Sequence, residues 1–265
     1  MKQGMIPVIK TKTGKTMIRA LLLGATALLL SACGGGGDGG SSPSTQTQQS
    51  AQKSVLIEYV GDSTVYGCTL LEGNPRGPQC LENYAQSPHN EPAMVQYLLD
   101  KKSIDQVTVL NSGVAGTTVA DLLNGTNKVP QPWWPHVQQS KAQIIVMNYG
   151  INDAYAPGMT PELFSAELDQ VISAAKAAGK QIILETPNPI MSDHASYLAS
   201  LVDAEKQTAA KWGVQVIDQY GYLSSIPNWP SMLSDGMHPT DAGYELKGQH
   251  AYNALSQTVA WYLAH

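Results

Sequence analysis

Apolar positions along the chain alternate between the short runs of buried strands and the wider spacing of helices. Val55 to Val60 is rich in β-branched and aromatic residues and stops abruptly at Gly61-Asp62-Ser63, the pattern of a buried strand ending in a tight turn. Pro88 to Asp100, with Met94, Val95, Tyr97, Leu98 and Leu99, suits a helix. Val107 to Leu110 predicts a second strand, and Thr117 or Thr118 can cap a short helix through Leu122 and Leu123 that ends near Gly125. Ala142 to Asn148 is almost wholly apolar, as expected of a central parallel strand covered on both faces.

The next helix has Thr160 as its N-cap, Pro161 at its first position, and a stripe at Phe164, Leu168, Val171, Ile172 and Ala175, with Gly179 as the stop. Gln181 to Glu185 predicts strand four and Val214 to Ile217 strand five. A helix lies between them, from near Asp193 to Trp212, and a long one runs from about Thr240 to Leu263. Five strands separated by helices argue for a parallel sheet with helices on both faces, because each crossover must pass over the sheet. One connection stands apart: Val129-Pro130-Gln131-Pro132-Trp133-Trp134-Pro135 predicts a proline-stiffened loop displaying two adjacent tryptophans.

The N-terminus has a different pattern. Lys2, Lys10, Lys12, Lys15 and Arg19 precede an apolar run from Ala20 to Leu30. That run is too short to span a bilayer as a mature helix and predicts a secretory signal over residues 1–32. Met17 is a second candidate start, since Met17 to Cys33 is itself a compact signal with Arg19 as its charge. Leu30-Ser31-Ala32-Cys33 resembles the lipobox of bacterial lipoproteins, which implies acylation of Cys33. The alternative is ordinary cleavage after Ala32. Residues 33–53, dominated after Cys33 by Gly, Ser, Gln and Thr, predict a flexible tether, since they hold too little apolar surface to offset their ordering entropy. These features together predict a lipid-anchored protein of the bacterial cell envelope, periplasmic or surface-exposed, that touches the membrane only through its N-terminal lipid.

At 265 residues and 43% hydrophobic composition the chain supports one sizeable core, so residues 54–265 predict a single domain. Loss of residues 1–32 leaves 11 basic against 21 acidic residues, a formal charge of −10. So acidic a domain is a poor binder of nucleic acid or anionic lipid. In an exported chain the remaining pair Cys68 and Cys80 predicts a disulfide closing a turn-forming loop, stabilising by about 3 kcal/mol on the chain-entropy model. Two separate buried thiols are the alternative.

Ser63 at a strand end is a poor nucleophile unless a base takes its proton, so it predicts a histidine oriented by a carboxylate. Asp235-Gly236-Met237-His238-Pro239 supplies both. Between them, Asn111-Ser112-Gly113-Val114-Ala115-Gly116 and Gly150-Ile151-Asn152-Asp153 each follow an apolar run. With these four segments in this order, the sequence resembles the SGNH family of the GDSL-type esterases and lipases from about Ser54 onward. The name-giving residues would be Ser63, Gly113, Asn152 and His238.

The resemblance implies a three-layer α/β/α, flavodoxin-like fold and a serine esterase. Its nucleophile would be Ser63, its base His238 and its orienting carboxylate Asp235, with Asp218 and Asp241 as rival carboxylates in the same half of the chain. The oxyanion donors it implies are the Ser63 N–H, the Gly113 N–H and the Asn152 side-chain amide. Asp62 and Asp153 read as structural. Neither a Gly-x-Ser-x-Gly elbow nor a phosphate loop followed by lysine is present, and the histidines show no metal-ligand spacing, so no metal or cofactor is expected. Trp133 and Trp134 are expected beside the site, stacking on a sugar or an apolar ester. The expected substrate is a short-chain, acetyl-like ester, carried by a polysaccharide. A general short-chain esterase or lysophospholipase-like enzyme, an O-acyltransferase and a non-catalytic binding lipoprotein are the competing readings.

Overall fold

The computed structural model describes residues 53–70 and 79–265. The predicted signal, Cys33 and nearly all of the tether lie outside the described residues, as does most of the loop between the two later cysteines. Five parallel strands form the sheet: β1 (Val55–Gly61), β4 (Val107–Gly113), β5 (Ile144–Asn148), β6 (Gln181–Glu185) and β7 (Gln215–Ile217). They lie in the order β4-β1-β5-β6-β7. This is the flavodoxin-like order, in which the chain switches direction across the sheet beside its first strand and sites form outside the carboxyl ends.

The period-two alternation of a strand explains why both faces are apolar. Ile57 and Tyr59 of β1, Ile144 and Val146 of β5 and Ile183 of β6 face one way. They meet α2 (Glu91–Lys101) and α9 (Asp241–Ala264), which supply Val95, Leu99, Ala251, Leu255 and Val259. Ile145, Met147, Ile182 and Leu184 face the other way. There they meet α3 (Val119–Asn124), α4 (Trp133–Gln139), α6 (Pro161–Ala177) and α7 (Ala195–Trp212). The predicted stripe of α6 is the buried one: Phe164, Leu168, Val171, Ile172 and Ala175 are all at most 1% exposed. Truncating Leu168 to Ala would cost about 2–5 kcal/mol.

Glu58 is the polar exception on β1, buried at 3% exposure. It accepts hydrogen bonds from Ser112 Oγ, His136 Nε2 and Ser140 Oγ at 2.7–3.0 Å. Burial alone would raise its carboxyl, but these donors outweigh burial and hold it below its ordinary value.

Two connections differ from expectation. The segment after Ser63 forms a helical turn, α1 (Ser63–Tyr66), and then an antiparallel hairpin of β2 (Cys68–Leu70) and β3 (Tyr84–Gln86). The predicted Cys68–Cys80 disulfide is present and closes it. The tryptophan segment is not a loop but the start of α4. Pro132 sits at the cap and Pro135 in the first turn, where a helix needs no N–H donor, so the prolines help to start this helix instead of preventing it.

Candidate active site

Ser63, Asn152 and His238 come together at the carboxyl edge of the sheet, in a cleft of about 170 Å³ that Tyr84, Gly116, Lys128 and Met237 also line. Strand ends place the first two. β1 stops at Gly61, and the Asp62 side chain accepts from Thr64 N–H at 2.8 Å and Thr64 Oγ1–H at 2.9 Å, capping α1 and presenting Ser63 as its first residue. β5 stops at Asn148, and α5 (Ile151–Tyr155) carries Asn152. The last loop before α9 carries Asp235 and His238.

The hydroxyl of Ser63 lies 2.9 Å from His238 Nε2. On the other side of the ring, Nδ1 lies 2.8 Å from Asp235 Oδ2. An ionised carboxylate only accepts, so Nδ1 carries the proton and Nε2 is left as the acceptor facing the serine. Asp235 Oδ1 accepts the backbone N–H groups of Met237 and His238 at 2.9 and 2.7 Å, which fixes the turn. Burial would raise the Asp235 carboxyl, but bonds from His238 and Tyr84 outweigh it and hold the group well below the usual carboxylate range. The rival carboxylates are engaged elsewhere: Asp218 with Lys206 and the start of α8 (Gln219–Ser224), Asp241 with Ser87.

The two carboxylates read as structural make tight local networks. Asp153 accepts from Gly150 N–H and Val119 N–H, both at 3.0 Å, tying the β5–α5 turn to α3. Burial pushes its carboxyl up to about 7. Asp62, buried as well, has its carboxyl raised by that burial against the opposing bonds from Thr64. Its Oδ2 also accepts from the Asn152 amide at 3.2 Å, and that amide donates to Thr117 O at 3.0 Å.

Gly113 is not in the cleft. β4 runs on to residue 113, three residues beyond the predicted end, and the Gly113 N–H donates to Asn111 Oδ1 at 3.0 Å. Glycine is needed there for packing, since a Cβ would come within 2.3 Å of Tyr66 N. The glycine that lines the cleft is Gly116, with φ +79° and open space where a side chain would be. Among the described residues, neither the Gly116 N–H nor the Ser63 N–H has an acceptor. Extending the predicted strand to Asn-Ser-Gly would have moved the turn onto Ala115-Gly116.

The tryptophans are elsewhere too. Trp133 is 1% exposed, donates from Nε1 to Val171 O at 3.0 Å and stacks on His136. Trp134 is exposed, but it lies beside Ala177 and Trp212, the last residues of α6 and α7. Helices run against the strands they cover, so those ends mark the amino edge of the sheet, opposite Ser63. Sequence reasoning missed Tyr84, whose hydroxyl donates to Asp235 Oδ2 at 2.6 Å and whose ring meets His238 edge-on at 5.2 Å between centroids. A three-residue strand has no readable period, and its alignment depends on pairing across the disulfide.

The GDSL-like lipase/acylhydrolase family matches residues 59–246. A lipase/acylhydrolase from Enterococcus faecalis superposes with a TM-score of 0.60 at 23% identity, covering 77% of this chain and 96% of its own. An acetylxylan esterase from Geobacillus stearothermophilus gives 0.59 at 21%, covering 77% and 95%. An alpha/beta hydrolase enzyme from the metagenome of Lake Arreo gives 0.60 at 23%, covering 78% and 97%. No curated protein matches the chain.

Proposed function

The chain belongs to the GDSL-like lipase/acylhydrolase family and is an ester hydrolase, and from that premise we propose that it removes short acyl groups through Ser63, His238 and Asp235. The unbroken relay from Ser63 Oγ to His238 Nε2, and from His238 Nδ1 to Asp235 Oδ2, carries this reading. Nε2 takes the serine proton as Oγ bonds to the carbonyl carbon. The tetrahedral intermediate collapses, the C–O bond to the alcohol breaks, and the alcohol leaves with the proton from Nε2. Water then gives a proton to Nε2 and attacks the acyl-enzyme, and Ser63 recovers its proton as the acid departs. Asp235 keeps the ring in the productive tautomer and stabilises the imidazolium.

Charge on the carbonyl oxygen needs donors already in place. The two N–H groups without an acceptor, of Ser63 and Gly116, favour Gly116 over Gly113 for this role. The Asn152 amide joins them by giving up its longer bond, the 3.2 Å contact to Asp62.

A cleft of about 170 Å³ favours a small acyl group, acetyl to about butyryl. With both tryptophans away from the site, the carbohydrate reading rests on the likeness to an acetylxylan esterase. Exposed Leu81 on the cleft wall favours the second reading, a general short-chain esterase. Turnover across acyl lengths, run beside acetylated xylan, separates the two. Acetate released from the polysaccharide at rates comparable to activated acetyl esters supports the first, and no release supports the second. An acceptor glycan added to the same assay tests acyl transfer by the ratio of transferred to hydrolysed acetyl.

The lipobox-like Leu30-Ser31-Ala32-Cys33 and the Gly/Ser-rich stretch after it support a lipid anchor in the cell envelope. Cys33→Ser should move the protein from the membrane fraction to the soluble one with its turnover unchanged. An unmodified Cys33 on the mature wild-type protein, found by mass spectrometry, would exclude the anchor.

A further inference from the structure

The hairpin β2–β3 grips the loop that carries Asp235 and His238 at two points. Leu70 and Tyr84 are directly opposite one another in its register. Leu70 N–H donates to Ser234 Oγ at 3.0 Å, and the Ser234 hydroxyl donates to the His238 carbonyl at 3.0 Å. Tyr84 donates to Asp235 Oδ2, the same oxygen that receives His238 Nδ1–H. The hairpin is itself fixed by the Cys68–Cys80 bond and by Tyr244 of α9, whose buried hydroxyl donates to Cys68 O at 2.9 Å. One strand pair therefore holds the backbone of the histidine and the side chain of its carboxylate partner.

We propose that Tyr84 is a positioning residue for ester hydrolysis, acting through Asp235 on the orientation and basicity of His238, with the disulfide-closed hairpin as its rigid mount. The proposal rests on His238 being the base. Oδ2 serves two donors, so the phenol draws part of the carboxylate's charge away from the imidazole and also restrains rotation of the carboxylate. Titratable and charged groups face this centre from the elements around it: Tyr84 from β3, Asp62 from the β1–α1 turn, Tyr244 from α9, and Lys128, which lines the same cleft. Among the described residues, the side chains that hydrogen-bond to Asp235 are those of His238 and Tyr84.

The sign of the effect follows from the shared oxygen. Without the phenol, more of the Asp235 charge falls on His238, the imidazolium is favoured, and the acid limb of kcat/KM moves to higher pH. Tyr84→Phe keeps the ring and its edge contact, so the protein should fold. It should lower kcat about 10-fold, the scale of one hydrogen bond to a charged group, leave KM within about twofold, and raise the acid limb by roughly 0.5–1 pH unit. The downfield proton resonance of His238 Nδ1–H should move further downfield. A merely structural role would lower melting temperature and active fraction without moving the limb or the resonance.

Tyr84→Leu, a second variant without the hydroxyl, guards against a folding defect peculiar to one side chain. If either folded variant keeps kcat within twofold of wild type with an unmoved limb and resonance, the proposal is overturned. His238→Ala, measured alongside, separates the two levels. An active His238→Ala overturns the catalytic reading itself, whereas an inactive one beside an unaffected Tyr84→Phe overturns only the positioning role.

Discussion

The segment from Cys68 to Gln86 and the segment from Val129 to Gln139 are made of similar material, prolines and aromatic residues between two sheet strands. The second is expected beside the site, but it is the first that borders it. Its Tyr84 touches Asp235, whereas Trp133 is packed under α6 and Trp134 lies near the far end of that helix. The difference lies in how far each segment has travelled along its crossover. In a parallel sheet every connection leaves at the carboxyl edge and must return to the amino edge before the next strand begins. Cys68 follows α1 directly and is still at the departure edge. Trp133 and Trp134 come late in the β4–β5 connection, after α3, and have already crossed.

The comparison is sharpened first at the departure edge. Ser63→Ala and His238→Ala should each cost about 10⁴-fold or more in turnover while the protein stays folded, because the members of such a relay act as a unit. Asn152→Ala should cost about 100-fold through loss of an oxyanion donor. Steady-state rates on an activated acetyl ester, with circular dichroism to confirm folding, check both. Wild-type turnover in folded Ser63→Ala would remove the basis for placing the site here.

A smaller effect is expected from the mount of the hairpin. Replacing Cys68 and Cys80 together by Ala should cost about 3 kcal/mol of stability on the chain-entropy model. Turnover of the folded fraction should fall severalfold, by less than the loss on removing the Tyr84 hydroxyl, because Tyr244 still holds the Cys68 carbonyl. Denaturant unfolding and active-site titration by a fluorophosphonate separate the two quantities. An unchanged turnover would show that the hairpin stays in place without its staple.

Much of this architecture is legible in the sequence because burial on both faces leaves a strong signal. Ile144–Asn148 and Gln181–Glu185 are short apolar runs between capped helices, and the stripe of α6 falls on its buried face. The segments that carry Ser63 and Asn152 into the cleft are legible because each follows an apolar run that stops abruptly, and Asp235 and His238 because a strand-end serine calls for a histidine with a nearby carboxylate. The misplaced donor has a specific cause. Asn111-Ser112-Gly113 looks like a turn because its residues are polar or small, yet it continues β4 at the sheet edge, paired to Tyr59-Val60-Gly61. An edge strand can carry polar residues on its open side, so polarity alone gives the wrong end. Tyr84 was hidden for another reason: its role depends on a pairing between residues on either side of a disulfide, which no local pattern encodes.

The smallest expected effects belong to the far edge and test the comparison from the other side. Trp133→Ala removes a buried ring and its bond to the Val171 carbonyl, and should cost about 3–5 kcal/mol of stability. Its own helix, α4, also supplies His136 to the buried Glu58, so the damage should spread along that face of the sheet and not toward Ser63. Turnover per folded molecule should stay at wild type. Trp134→Ala should change neither stability by more than about 0.5 kcal/mol nor activity on any ester, because an exposed ring away from such features contributes little. Measuring both variants on a small acetyl ester and on acetylated xylan decides the matter. A selective loss on the polysaccharide in Trp134→Ala would mean that a long substrate reaches around the molecule to the amino edge, and the division between the two edges drawn from the crossover geometry would fail for binding even while it held for chemistry.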